Sequence, residues 1–150
     1  MIKFSILGFG HIGKVHYQAI KETVGAKLVA IIDLVEPILE ESTANIDYYT
    51  SLEHFLENDT ETNVVVIATP NGMHHIHAIS CLQAGKNVLI EKPMALDIEN
   101  AKAILATAEE NNKRVFSSMQ LRFSPVVQYV KNALDQKALG EIYICLLYTS

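Results

Sequence analysis

The sequence is short of several things, and each shortage excludes something. Only two of its 150 residues are cysteines, Cys81 and Cys145. That is too few for a disulfide framework and suits a reducing compartment. Basic residues are outnumbered, with 12 Lys and Arg against 17 Asp and Glu and a net charge of −5. Without a basic stripe, nucleic acid is not an expected partner. No window approaches the ~18 consecutive apolar residues that a membrane span needs. The N-terminal run MIKFSILGFGHIG is broken by Ser5 and Gly8, and it has neither the apolar core nor the cleavage site of a signal peptide. There is no internal repeat and no low-complexity segment. These absences leave a soluble, cytoplasmic protein as the expectation.

What is present is ordinary globular composition, 49% hydrophobic and 19% charged. The length is that of about one domain with a real core. Short β-branched runs alternate with helical patterns. Strands are expected at 3–7, 27–33, 63–69, 87–90, 114–118 and 141–147, with a weaker one at 47–49. Helices are expected at 12–23, 51–58, 72–84, 98–111 and 125–136. Thr50 with Glu53 has the spacing of a capping box, Asp97 precedes an acidic first turn, and Ser124-Pro125 pairs an N-cap with proline at the first helical position. "VVVIA" at 64–68 is apolar on both faces, as a parallel strand covered by helices must be. Such alternation implies right-handed βαβ units and an α/β fold built on a doubly wound parallel sheet.

Three stretches carry chemistry. In Gly8-Phe9-Gly10-His11-Ile12-Gly13, set between a strand and an amphipathic helix, Gly8 takes a tight turn, Gly10 admits a pyrophosphate, and Gly13 lets helix and strand pack closely. The helix N-terminus then offers free N–H groups to phosphates. Asp33 ends the next strand twenty residues after Gly13, where a ribose-binding acid belongs. Its carboxylate accepts from a ribose diol and meets a 2′-phosphate as like charge, and Leu34-Val35 supply no arginine. The expected cofactor is therefore NAD rather than NADP.

The second stretch is "ATPNGMHHIHA" at 68–78, a strand end followed by a helix start. Thr69 and Asn71 fall on the edge where ligands bind in open α/β sheets, and Asn71 is expected to cap the helix. The three histidines do not read as a metal site, because only His74 and His77 share a face and no carboxylate or cysteine stands at ligand spacing. His74 is expected to make one polar contact to cofactor or substrate, and His75 and His77 to be solvated or packing residues.

The third is "IEKPMA" at 90–95, an apolar strand closed by Glu91-Lys92-Pro93. The doubly wound sheet delivers it to the same edge as the glycine turn. A lysine beside the positive ring of an oxidised nicotinamide has its ammonium form disfavoured and suits acid–base work on a hydroxyl. Pro93 aims the turn and permits a cis Lys92–Pro93 bond. After the sixth strand, Arg122 suits either bidentate binding of a substrate carboxylate or phosphate or pinning of an interdomain junction.

With these residues assembled, the chain resembles the Gfo/Idh/MocA oxidoreductase family in "GFGHIGKVH", "ATPNGMH", "AGKNVLIEKPMAL", and "MQLRFSP" with "LGEIY". The likeness runs from about residue 2 to 144. It implies an N-terminal Rossmann domain, a C-terminal α/β domain carrying substrate and homo-oligomer contacts, and NAD(P)-dependent chemistry on sugar or cyclitol hydroxyls. By position it implies Gly8, Phe9, Gly10, His11, Ile12, Asp33, Thr69, Asn71, His74, Glu91 and Gln120 as cofactor contacts and Lys92 as the catalytic lysine; Glu91 is expected to orient that lysine. The wording is most like members acting on UDP-N-acetylglucosaminuronate.

The resulting expectation is a nucleotide-binding domain over 1–122, then a crossover helix and the first strand of a truncated substrate domain over 123–150. Residues 145–150 do not resemble that strand's continuation and carry no chemistry. Such a piece binds NAD and turns over little. The alternative is a non-catalytic module sensing NAD(H), which has no use for Lys92.

Overall fold

The computed structural model describes residues 1–37 and 46–144. Among these, strands β1 (Ile2–Leu7), β2 (Ala26–Ile32), β3 (Asp47–Tyr49), β4 (Val64–Ile67), β5 (Asn87–Ile90) and β6 (Val115–Ser117) form one sheet in the order β3-β2-β1-β4-β5-β6. Every pairing is parallel, so all six strands end on one rim. The order reverses between β1 and β4, the switch point at which open sheets of this class form a crevice. The fold is the expected Rossmann-type α/β sheet.

Helices α1 (His11–Glu22), α2 (Leu52–Asn58), α3 (His74–Gln83) and α4 (Ile98–Glu110) connect the strands. Alternation along each strand sends neighbouring side chains to opposite faces. Ile6, Ile31 and Val66 therefore pack with Phe9 and Ile20 of the α1 side. Ala30, Ile32, Val65 and Ile67 face the other way, onto Phe55 of α2, Leu82 of α3 and Ile104 of α4. Among the described residues, no helix is long and apolar enough to cross a membrane.

The chain divides into two compact units, Met1–Ser118 and Met119–Ser150. The described part of the second holds a 3-10 turn (Gln120–Phe123) and α5 (Pro125–Asp135), which starts at Ser124 with Pro125 in the first turn.

Several local expectations are corrected. Ser51, not Thr50, caps α2, its hydroxyl accepting the His54 N–H at 3.1 Å. The two hydroxyls are adjacent in sequence, and only Ser51 stands at the helix start. Asn71 does not cap α3 but opens a 3-10 turn, Asn71–Met73, that feeds into it. Residues 141–144 are not a strand, since no described strand pairs with them, and 145–147 lie outside the described residues. Asp97 does cap α4, accepting the Asn100 N–H at 2.8 Å.

Candidate functional site

The glycine turn after β1 is shaped by two close approaches. Gly8 has φ +91, and a Cβ there would lie 2.7 Å from the Ala68 carbonyl oxygen at the end of β4. A Cβ on Gly13 would strike the Gly8 carbonyl, so the absent side chain lets the first turn of α1 sit against the β1 turn. Gly10 differs, because a Cβ there would meet nothing within 4 Å. It faces open space at the N-terminus of a helix whose first N–H groups have no intrahelical acceptor, the chemistry of a phosphate cradle.

A cleft of about 780 Å³ opens from this turn. Of the expected contacts, Gly8, Gly10, His11, Ile12, Asp33 and Thr69 line it. Asp33 is half-buried and already fixed: the Phe9 N–H donates to its Oδ2 at 2.6 Å and the Val35 N–H to its Oδ1 at 3.2 Å. A carboxylate accepts at about four lone-pair positions, so two such bonds orient Asp33 and leave capacity for a diol. Open backbone at Gly10, a helix N-terminus and an oriented acid fit the pyrophosphate and ribose of a dinucleotide.

Other expected residues lie elsewhere. The Phe9 ring is buried among the α1-side core, edge-on to Tyr17 at 5.9 Å, and its N–H belongs to Asp33, so its contribution to the turn is structural. Asn71 is exposed and outside the cleft lining. His74 is 1% exposed, with Nδ1 2.8 Å from the Pro93 carbonyl and Nε2 2.7 Å from the Thr69 carbonyl. A neutral ring donates to one of these and an imidazolium to both, but in either state the ring is a brace between two loops and not a cleft group. Gln120 and Arg122 belong to the second unit, on the 3-10 turn.

The Glu91-Lys92-Pro93 turn emerges from β5 on the rim, and the Lys92–Pro93 bond is cis. Lys92 is exposed, and among the described residues its side chain has no bonded partner. Glu91 is buried, yet it does not face that ammonium. Its Oε1 accepts from His16 Nε2 at 2.8 Å and its Oε2 accepts the Lys92 N–H at 3.2 Å. Burial alone would raise the Glu91 carboxyl, but the bonds from Ser118, His16 and Lys92 outweigh it and hold the group below the ordinary carboxylate range. The orienting role expected of Glu91 thus falls on the lysine's backbone.

The cleft also recruits residues that motif reading missed. Thr50, Ser51, Leu52 and Glu53 line it from the turn after β3, and Pro70, Met73 and His77 from the other side. His77, expected to be a solvated or packing residue, shares a 3.0 Å bond between Nδ1 and the Thr69 hydroxyl. Burial lowers its pKa, with Glu53 opposing and His74 and His75 adding to the shift. The signal for His77 was its place one turn beyond His74, on the same face.

Residues 2–119 match the family model described as oxidoreductase family, NAD-binding Rossmann fold, GFO_IDH_MocA. The chain belongs to that family. It is an NAD-binding oxidoreductase domain. It is 30% identical over 141 residues to the inositol 2-dehydrogenase of Rhizobium meliloti (strain 1021), covering 94% of this chain and 43% of that protein. The WlbA dehydrogenase of Bordetella pertussis, solved with NADH and UDP-GlcNAcA, superposes with a TM-score of 0.84 at 35% identity, covering 95% and 42% of the two chains. The scyllo-inositol dehydrogenase of Lactobacillus casei, solved with NAD(H) and scyllo-inositol, gives 0.82 at 28% identity, covering 94% and 43%. The chain thus spans well under half the length of these relatives.

Proposed function

We propose that this domain serves an oxidoreductase transferring hydride between a sugar or nucleotide-sugar hydroxyl and NAD. One observation carries the reading: the glycine turn, the Asp33 carboxylate and Lys92 leave the ends of β1, β2 and β5 on a single rim. Gly8, Gly10, His11 and Ile12 hold the pyrophosphate against the α1 amides, Asp33 holds the ribose, and Thr69 closes the facing wall. Phe9, Asn71, His74 and Glu91 support these contacts from behind or beside the cleft. NAD, when bound, supplies the hydride acceptor at its nicotinamide. Lys92 Nζ takes or returns the proton of the substrate hydroxyl, which suits an exposed amine with no competing partner among the described residues. Arg122 receives a carboxylate or phosphate of the substrate. Likeness to the Bordetella protein favours a nucleotide sugar bearing a carboxylate.

Calorimetric titration of the 150-residue chain with NADH and NADPH tests the cofactor reading. A charge-assisted bond contributes about 1.5–3 kcal/mol, so NADH should bind roughly tenfold tighter or more. Equal or tighter binding of NADPH removes Asp33 from its role. In a polypeptide extended to the length of the relatives, Lys92→Met should abolish turnover while leaving NADH affinity intact. A sensing module would be indifferent to that change.

A further inference from the structure

The turn bearing Lys92 is tied down on both flanks, while the lysine side chain has no bonded partner among the described residues. On one flank the Lys92 N–H reaches Glu91 Oε2 at 3.2 Å; on the other the Pro93 carbonyl is held by His74 Nδ1 at 2.8 Å. Glu91 is itself immobilised from a distance. His16 lies on α1, 75 residues away in sequence, and donates from Nε2 to Glu91 Oε1 at 2.8 Å. The two side chains are only 15% and 10% exposed, so little water competes for that bond. Helix α1 is the same helix whose first turn faces the phosphate cradle, with His16 about one turn further along it.

We propose that His16 is a positioning residue for Lys92: by holding Glu91, it fixes the backbone from which the lysine projects and fastens that backbone to the cofactor-binding helix. The inference rests on the reading of Lys92 as the proton-transferring group. Nothing in the glycine fingerprint requires a histidine at this place. A residue needed only to fill space would be served as well by leucine, whereas a donor aimed at a carboxylate is not. Without His16, Glu91 keeps only the Lys92 N–H and gains rotational freedom, and the turn that depends on it loosens.

Amide hydrogen exchange at Lys92, followed by NMR on the 150-residue chain, decides between these roles. His16→Leu removes the donor, and exchange at Lys92 should accelerate roughly tenfold or more, the loss expected for one bond to a charged group. His16→Gln places an amide N–H near the position of Nε2 and should restore exchange to about threefold of the parent or better. Glu91→Gln should accelerate Lys92 as His16→Leu does, which keeps the question decidable should the leucine variant fail to fold. The proposal is overturned by unchanged exchange at Lys92, by a folded glutamine variant that loosens as much as the leucine one, or by a uniform acceleration across all strands. NADH titration of the parent chain separates the two readings. Absence of binding removes the proposed function, while the exchange pattern still reports on the His16–Glu91–Lys92 linkage.

Discussion

Strand β5 carries a lysine before its start and another after its end, and the fold treats them in opposite ways. Lys86 is 10% exposed at its side chain and reaches Asp59 Oδ2 at 2.6 Å and the Asp59 carbonyl at 3.1 Å. Asp59 accepts the Thr62 N–H and hydroxyl as well, and Thr62 in turn shares a 2.6 Å bond with Ser5. Every group in that cluster is partnered from within, which is what burial demands of polar atoms. Lys92, at the opposite rim, is exposed and unpartnered among the described residues, with bonded atoms beneath it in the backbone only. The charge committed to the architecture is enclosed and saturated; the other is left open above a turn bonded through its backbone.

The largest break in this comparison should come from Lys86→Met. It leaves a buried carboxylate without its cation, which costs about 3–5 kcal/mol in comparable sites and is read from urea unfolding. At the open rim, Gly10→Ala should leave unfolding unchanged, since its Cβ meets no protein atom. NADH affinity should nevertheless fall at least about tenfold, or ~1.4 kcal/mol, by crowding the phosphates. Unaltered affinity would remove Gly10 from the cradle.

Acid should sharpen the contrast further. Burial would raise the Asp59 carboxyl, but bonds from Lys86 and Thr62 bring it below its ordinary value of 3.8. A depressed folded-state value means that this stability is present above 3.8 and is lost as pH falls through the lower folded value. Stability measured from pH 5 downward should therefore decline less steeply in Asp59→Asn than in the parent. Smallest of all is Lys92→Met, which should shift unfolding by no more than about 0.5 kcal/mol. A loss rivalling that of Lys86→Met would mean the two ends are not treated differently after all.

Much of this was legible in the sequence, for local reasons. The glycine spacing and Asp33 gave the turn, the helix start and the cleft acid, because each depends on residues within one βαβ unit. "VVVIA" announced a strand buried on both faces, and Val65 and Val66 do face opposite cores. What escaped was set by distance along the chain. His74 looked like a ligand contact because the Pro93 carbonyl that claims it lies 19 residues on. His16 gave no sign of its bond to Glu91, because that carboxylate lies 75 residues further along the chain. Thr50 with Glu53 satisfies the capping-box spacing on paper, and only the path of the chain after β3 makes Ser51 the cap instead. The wall formed by Thr50–Glu53 comes from that same turn, whose position relative to the glycine loop is a property of strand order.

Glu91 accepts from a helix 75 residues away in sequence and from its own turn. Substituting it is therefore never a local experiment. A Glu91 variant with poor turnover would report displaced neighbours as readily as missing chemistry, so only variants that spare this carboxylate can weigh what Lys92 itself contributes.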